Sequence, residues 1–252
     1  MKTIMTKIPT LTLSNSLRFS IKESVTKTEV SDFKNKWCDE NQIISGIISN
    51  GIADCFQEPI LDVGAGLGDI AFNSLHDKRV ICIDVNKIGN DDYPLSKNHE
   101  RQHIDFFDYI PEENINSVFI SHTLQFLDED IELLQRKINE IAPESIVLVL
   151  NKNNDILGDL IEWSEENFAN PNPEVNIPNF PDGYEIREVV DFKATLKCES
   201  YNDLATQISY LMLIDFDENI KSNLVEYLKL ILDSPGFEFN QQIKIYSKNG
   251  KQ

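Results

Sequence analysis

Short apolar runs alternate with segments of helical period along most of this 252-residue chain. Ile60, Leu61 and Val63 form a run of strand length. Gly64, Gly66 and Gly68 follow at alternate positions, and a helical pattern covers 69–75. Further strand-like runs lie at 79–84, 102–108, 117–121 and 145–150. The last, Ser-Ile-Val-Leu-Val-Leu, has the continuous apolarity of a strand covered on both faces. Residues 184–197 and 241–247 alternate apolar and polar, as expected toward one side of a mixed sheet. Helical spacing appears over 31–50, where Ser31 caps a pattern through Phe33, Trp37, Ile43, Ile44, Ile47 and Ile48. It returns at 128–141 with Ile131, Leu134, Ile138 and Ile141 on one face, acids at 128–130, Arg136 and Lys137 nearer the other end, and Pro143 beyond. Asp155 caps a segment carrying Leu157, Leu160, Ile161 and Phe168, and 201–213 and 218–232 are helical through residues such as Leu204, Ile208, Met212, Leu224 and Leu228. Such alternation predicts an α/β domain with a largely parallel sheet and right-handed crossovers.

The pattern divides the chain into an arm and a helix at 1–55, a core at 56–200, a helical insertion at 201–240 and a final core strand at 241–252. Residues 1–29 carry no clear period, 90–98 are polar around Pro94, and prolines from 171 to 181 mark a long break, either a surface linker or a rim of the pocket. No run of about 18 apolar residues occurs and no compact apolar leader begins the chain, so no membrane span or signal peptide is expected and the expected compartment is the cytoplasm. Cys38, Cys55, Cys82 and Cys198 lie far apart and off metal-ligand spacing, which predicts reduced thiols and no metal site. A formal charge of -19 argues against a nucleic-acid partner. It serves solubility, or draws a cationic or amine substrate.

The glycine turn carries the chemistry. Glycines let the backbone bend sharply and approach a ligand, and leave amides free at a helix start, which suits an adenosine nucleotide. A dinucleotide fingerprint would want Gly or Ala where Asp69 stands. Asp62, just before the turn, would repel a pyrophosphate and fits a ligand carrying an amino group and a sulfonium. Asp62-Val63-Gly64-Ala65-Gly66-Leu67-Gly68 resembles motif I of the class I S-adenosylmethionine-dependent methyltransferases, and the resemblance runs over residues 59 to 150. It implies a Rossmann-like doubly wound seven-stranded mixed sheet, with the helical arm before it, the helix of 1–55 covering the cofactor pocket, and the helical insertion between its last two strands.

The resemblance also implies roles. Asp62, Gly64, Ala65, Gly66 and Gly68 would hold S-adenosyl-L-methionine, with Asp84 and Val85 at its ribose, Asp105 (or Asp108) and Phe106 at its adenine, and Ser121 nearby. His122, following the fourth strand, is the best-placed proton acceptor, with no proton role as the alternative, and Tyr184, Tyr201, Tyr210 and the acids of the insertion are further possibilities. The leader over 33–52 is faintly similar to that of rRNA adenine dimethyltransferases, but the Asn-Pro-Pro-Tyr type motif of those enzymes is missing; Ser121-His122-Thr123-Leu124 resembles the small-molecule form of the region. The insertion resembles in placement that of histamine N-methyltransferase-like enzymes, as a substrate lid or a structural cap. The implied activity is methyl transfer to nitrogen or oxygen of a small molecule, of unknown oligomeric state. The alternatives are a peptide or protein methyltransferase, a non-catalytic S-adenosylmethionine-binding protein, and a nicotinamide dehydrogenase, which the glycine spacing disfavours.

Overall fold

The computed structural model describes residues 36–85, 96–124, 127, 131–152, 154–161, 181–211 and 217–249. The arm at 1–29, Ser31 and Phe33, the polar stretch as far as residue 95, the acids at 128–130, Phe168, the proline-rich break as far as 180, and Met212 lie outside the described residues.

The described strands are β1 (Ile60–Val63), β2 (Val80–Asp84), β3 (His99–His103), β4 (Ser117–Ser121), β5 (Ser145–Asn151), β6 (Tyr184–Lys197) and β7 (Gly236–Lys248). They form one sheet in the order β3-β2-β1-β4-β5-β7-β6. The first five run parallel, and β7 is antiparallel to both β5 and β6. Alternation along each strand sends side chains to two faces. Leu61, Val63, Ile81, Ile83, Val118, Ile120, Ile146 and Leu148 pack with Leu134 and Ile138 of the helix α3 (Ile131–Ile141). Burying each such side chain contributes about 1.5–3 kcal/mol, so the apolar stripe of α3 fixes it to that face. Ile60, Cys82, Phe119, Val147, Ile243 and Ile245 face the other layer, made by Ile44 of the helix α1 (Glu40–Ile47) and Ala71 of the helix α2 (Asp69–Ser74), with Ile48 and Leu75 just beyond them.

The β6–β7 pair outruns the sheet. β5 ends with Asn151 opposite Gln241, while β7 continues back to Gly236 and β6 onward to Lys197. The final strand therefore begins at Gly236, ahead of the expected 241, because 236–240 pair with 193–197. Gly236 has to be glycine for that pairing: an added Cβ would lie 2.5 Å from the Leu196 carbonyl oxygen. At this projecting end sit the helices α4 (Tyr201–Leu211) and α5 (Glu218–Ile231), packed through Leu204, Ile208, Leu224 and Leu228 on Ala194, Leu196, Phe237 and Phe239. The projection continues past the carboxyl ends of the parallel strands, so the insertion stands over the edge where open α/β sheets bind ligands.

Two further expectations are corrected. The helix expected as continuous over 31–50 is interrupted at Cys38, which bridges to Leu196, and Asp39 completes the link by donating its amide to the Thr195 carbonyl at 3.2 Å and accepting the Thr195 amide at 2.6 Å. Regular helix starts at Glu40, and a π turn (Ile48–Ile52) and a 3-10 turn (Ala53–Cys55) lead into β1. The third strand is His99–His103, paired from Val80 to Asp84 of β2, whereas the sequence pointed to 102–108. Its polar edge residues carry no apolar run, and the aromatics that suggested a strand lie in the turn after it. No helix among the described residues is long and apolar enough to cross a membrane, and no group of three or more potential ligands among them is placed to hold a metal.

Candidate functional site

β1 lies between β2 and β4, where the strand order reverses, and its glycine turn occupies that switch point. Gly64, Gly66 and Gly68 all have positive φ, at 67°, 57° and 80°. Each meets a different environment. A Cβ on Gly64 would collide with the Thr123 side chain at 2.3 Å, and that of Gly68 would press on Arg101 at 3.2 Å, whereas nothing lies within 4 Å of a Cβ on Gly66. The turn is thus held from both flanks and open at its middle. Thr123, in the exit from β4, reaches the Gly64 carbonyl at 3.4 Å and the Ser121 carbonyl at 3.0 Å. The Asp84 carboxylate at the tip of β2 accepts the Gly66 amide at 3.0 Å, and Arg101 of β3 donates to the Leu67 carbonyl.

Beneath the turn the charge balance is acidic. Asp62 points to the same side as Cys82, is 4% exposed, and has its carboxyl pushed up to about 7, first by burial and then by Asp84, with Arg101 opposing. Cys82, 4.0 Å from that carboxylate, is raised further still by its own burial. Arg101 has buried Nε and Nη1 atoms without a hydrogen-bond partner. Two acids face one cation here, so the balance of charge on this side of the turn is acidic.

A second polar group lies at the ends of β4, β5 and β7. His122 directly follows Ser121 with φ 51°, and its Nε2 lies 3.2 Å from Oε1 of Glu40. The same oxygen accepts from Nε2 of Gln241, which also donates to Asn151 Oδ1 at 3.0 Å. Gln241 is wholly buried and the Glu40 side chain is 5% exposed; Gln241 Oε1 and Ser121 Oγ are buried without a partner.

The parallel edge therefore gathers Asp62, the glycine turn with Ala65, Asp84, Val85, Ser121 and His122 at neighbouring strand ends. Val85 is 56% exposed. Asp105 and Phe106 follow β3: Asp105 is exposed and accepts the Phe107 amide at 2.8 Å, as a carboxylate does when it closes a turn, and Phe106 is buried beside Leu61 and Val63. Tyr184 stands apart. It begins β6, at the opposite edge of the sheet, with its hydroxyl donating to the Pro143 carbonyl at 2.7 Å. Tyr201 is tied to the Leu232 carbonyl within the insertion, and the side chain of Tyr210 lies outside the described residues.

Glu40, Asn151, Gln241, Thr123 and Arg101 were not singled out from sequence. A signal existed for three of them: Glu40 lies one turn from Ile44 and two from Ile48, Asn151 shares a face with Val147 and Val149, and Gln241 with Ile243 and Ile245, so each is a polar residue ending an apolar stripe. Arg101 and Thr123 carry no such mark.

Comparison with protein-family models and with curated protein sequences returns no match. Solved structures do match. The chain is similar to a cyclopropane-fatty-acyl-phospholipid synthase-like protein from Lactobacillus casei, at 13% identity and a TM-score of 0.53 over 88% of this chain and 99% of that one. The chain has the class I methyltransferase fold. The MccD protein shares it too, at 11% identity and a TM-score of 0.51 over 82% of this chain and 96% of that one. The turn after β1 and the exits of β2 and β4 lie at one edge of the sheet, where the acids and His122 are gathered.

Proposed function

We propose that the chain is an S-adenosylmethionine-dependent methyltransferase acting on nitrogen or oxygen of a small molecule. The observation that carries this reading is the glycine turn latched by Asp84, open above Gly66 and floored by Asp62. The open middle fits close approach of a ligand, and the paired acids favour a sulfonium and an ammonium over a pyrophosphate. The net charge of -19 is in keeping with a cationic donor. Asp62, Gly64, Ala65, Gly66 and Gly68 are assigned to the donor's amino-acid end, Asp84 and Val85 to its ribose, Asp105 and Phe106 to its adenine, and Ser121 to the reacting end.

The bound donor supplies an electrophilic methyl group, and the chain supplies alignment, exclusion of water and removal of a proton. His122 is assigned the last task. The insertion, running from Cys198 to Pro235, is assigned as the acceptor lid over a core of 56–197 and 236–252, and α1 as the cover of the pocket's other side. Incubation with methyl-tritiated S-adenosylmethionine and a panel of small phenols, carboxylates and amines tests the reading. Label transferred to a small acceptor is expected. Donor bound without transfer to any of them would replace it with a non-catalytic binding role.

A further inference from the structure

We infer that the methyl acceptor is a hydroxyl group, and that Glu40 is the positioning residue that aims His122 at its proton; the acceptor half of this rests on the methyl-transfer reading. The geometry begins with the imidazole. A carboxylate only accepts hydrogen bonds, and the two amide protons of Gln241 go to Glu40 Oε1 and Asn151 Oδ1, leaving none for the ring nitrogen 3.5 Å away, so Nε2 carries the proton and donates it to Glu40. The ring's remaining lone pair is then on Nδ1. Among the described residues Nδ1 takes no hydrogen bond, and His122, with its side chain 16% exposed, sits where β4 ends beside the glycine turn.

The acid is turned inward. Glu40 is buried, shared between His122 and Gln241, and fixed at the start of α1 by the Asp39 clasp on β6. A carboxylate meant to recognise an ammonium acceptor would face the ligand. This one faces the imidazole, where it stabilises the positive charge formed when the ring takes a proton. That help is needed for a hydroxyl, whose oxygen becomes a strong nucleophile only as its proton leaves. A neutral amine attacks with a free lone pair and sheds its proton afterwards.

The step balances. The acceptor O–H bond breaks toward Nδ1, the oxygen pair forms the new bond to the methyl carbon, and the carbon–sulfur pair returns to sulfur, turning the sulfonium into a thioether. His122 is left as imidazolium beside Glu40, and its proton passes to solvent.

The first measurement needs no cofactor: nitrogen-15 NMR of the imidazoles in the full-length protein above about pH 8, where ordinary imidazoles are neutral, with His122→Gln supplying the assignment. The protonated nitrogen of His122 is expected to be Nε2; a ring protonated on Nδ1 overturns the positioning role. The second compares wild type with Glu40→Gln, which keeps the hydrogen bond and loses the charge, using methyl-tritiated S-adenosylmethionine and a series of phenols of graded acidity beside matched anilines. The expected result is transfer to phenols that falls about 100-fold in the variant for weakly acidic ones and much less for those already ionised, with donor affinity changed less than twofold. Equal loss across the series, or transfer to anilines alone, overturns the hydroxyl assignment. Failure of the donor to bind at all overturns the methyl-transfer reading and the acceptor assignment with it, and leaves the tautomer result to decide the positioning role alone.

Discussion

Replacing Asp62 by Asn tests whether the glycine turn rests on a destabilised acid. The folded carboxyl is raised to about 7 by burial, with Asp84 adding to the effect and Arg101 opposing it, while an unfolded aspartate ionises near 3.9. Between those values the unfolded chain has released a proton that the folded chain retains, so stability falls as pH rises through this window and levels off above it. One pKa unit corresponds to about 1.4 kcal/mol, and the whole offset to at most about 4 kcal/mol. Starting at about pH 5.5, to stay clear of the acid range where the net charge of -19 collapses, leaves about 1.5 units of the window. The expected loss of wild-type stability between there and pH 8 is therefore about 2 kcal/mol relative to Asp62→Asn, which has nothing to ionise. Urea unfolding of both proteins at several pH values measures it, because the titration of groups not coupled to Asp62 cancels in the difference. Asp62→Asn is expected to overtake wild type in stability as pH rises, while binding S-adenosylmethionine more weakly. Stability curves that stay parallel across the range would show that Asp62 is ionised in the fold throughout, and the argument that burial destabilises this acid would fail.

Other substitutions reach neighbouring parts of the site. Arg101→Met removes the charge that opposes the rise in Asp62, so the pH window of the same unfolding experiment is expected to extend upward; an unmoved window would mean that the guanidinium does not sense Asp62. Gly64→Ala puts a Cβ at 2.3 Å from Thr123 on a backbone with φ 67°, and is expected to cost about 1–3 kcal/mol in thermal or urea unfolding from the backbone strain alone. Asp217→Ala removes the carboxylate that accepts the Ile220 amide at the start of α5. It should destabilise the protein by about 1 kcal/mol and raise KM for the acceptor while leaving the donor's affinity unchanged, since α5 belongs to the insertion rather than the turn.

Local patterns exposed most of the fold because each parallel strand except β3 is a short apolar run with its own turn or helix after it. The bounds of β6 were readable to the residue, since Gly183 precedes it and alternation runs through to Lys197. β3 was harder to read. As a sheet edge it needs one covered side, and its residues His99, Glu100, Arg101 and Gln102 are held by backbone pairing with β2 rather than by an apolar face. The glycine turn and Asp84 were visible because 20 residues of strand, turn and helix bring them together by topology alone. The Glu40, His122 and Gln241 group was not. Its members are separated by 82 to 201 positions and meet because α1 is clasped to β6 and β7 pairs with the end of β5.

The most direct test of the donor assignment is calorimetric titration of the purified protein with S-adenosylmethionine and, separately, with NAD, repeated on Asp84→Ala. Micromolar binding of the methyl donor, lost in the variant and absent for NAD, is the expected result. No binding of the donor, or a preference for NAD, would contradict the reading of the turn at Gly64, Gly66 and Gly68.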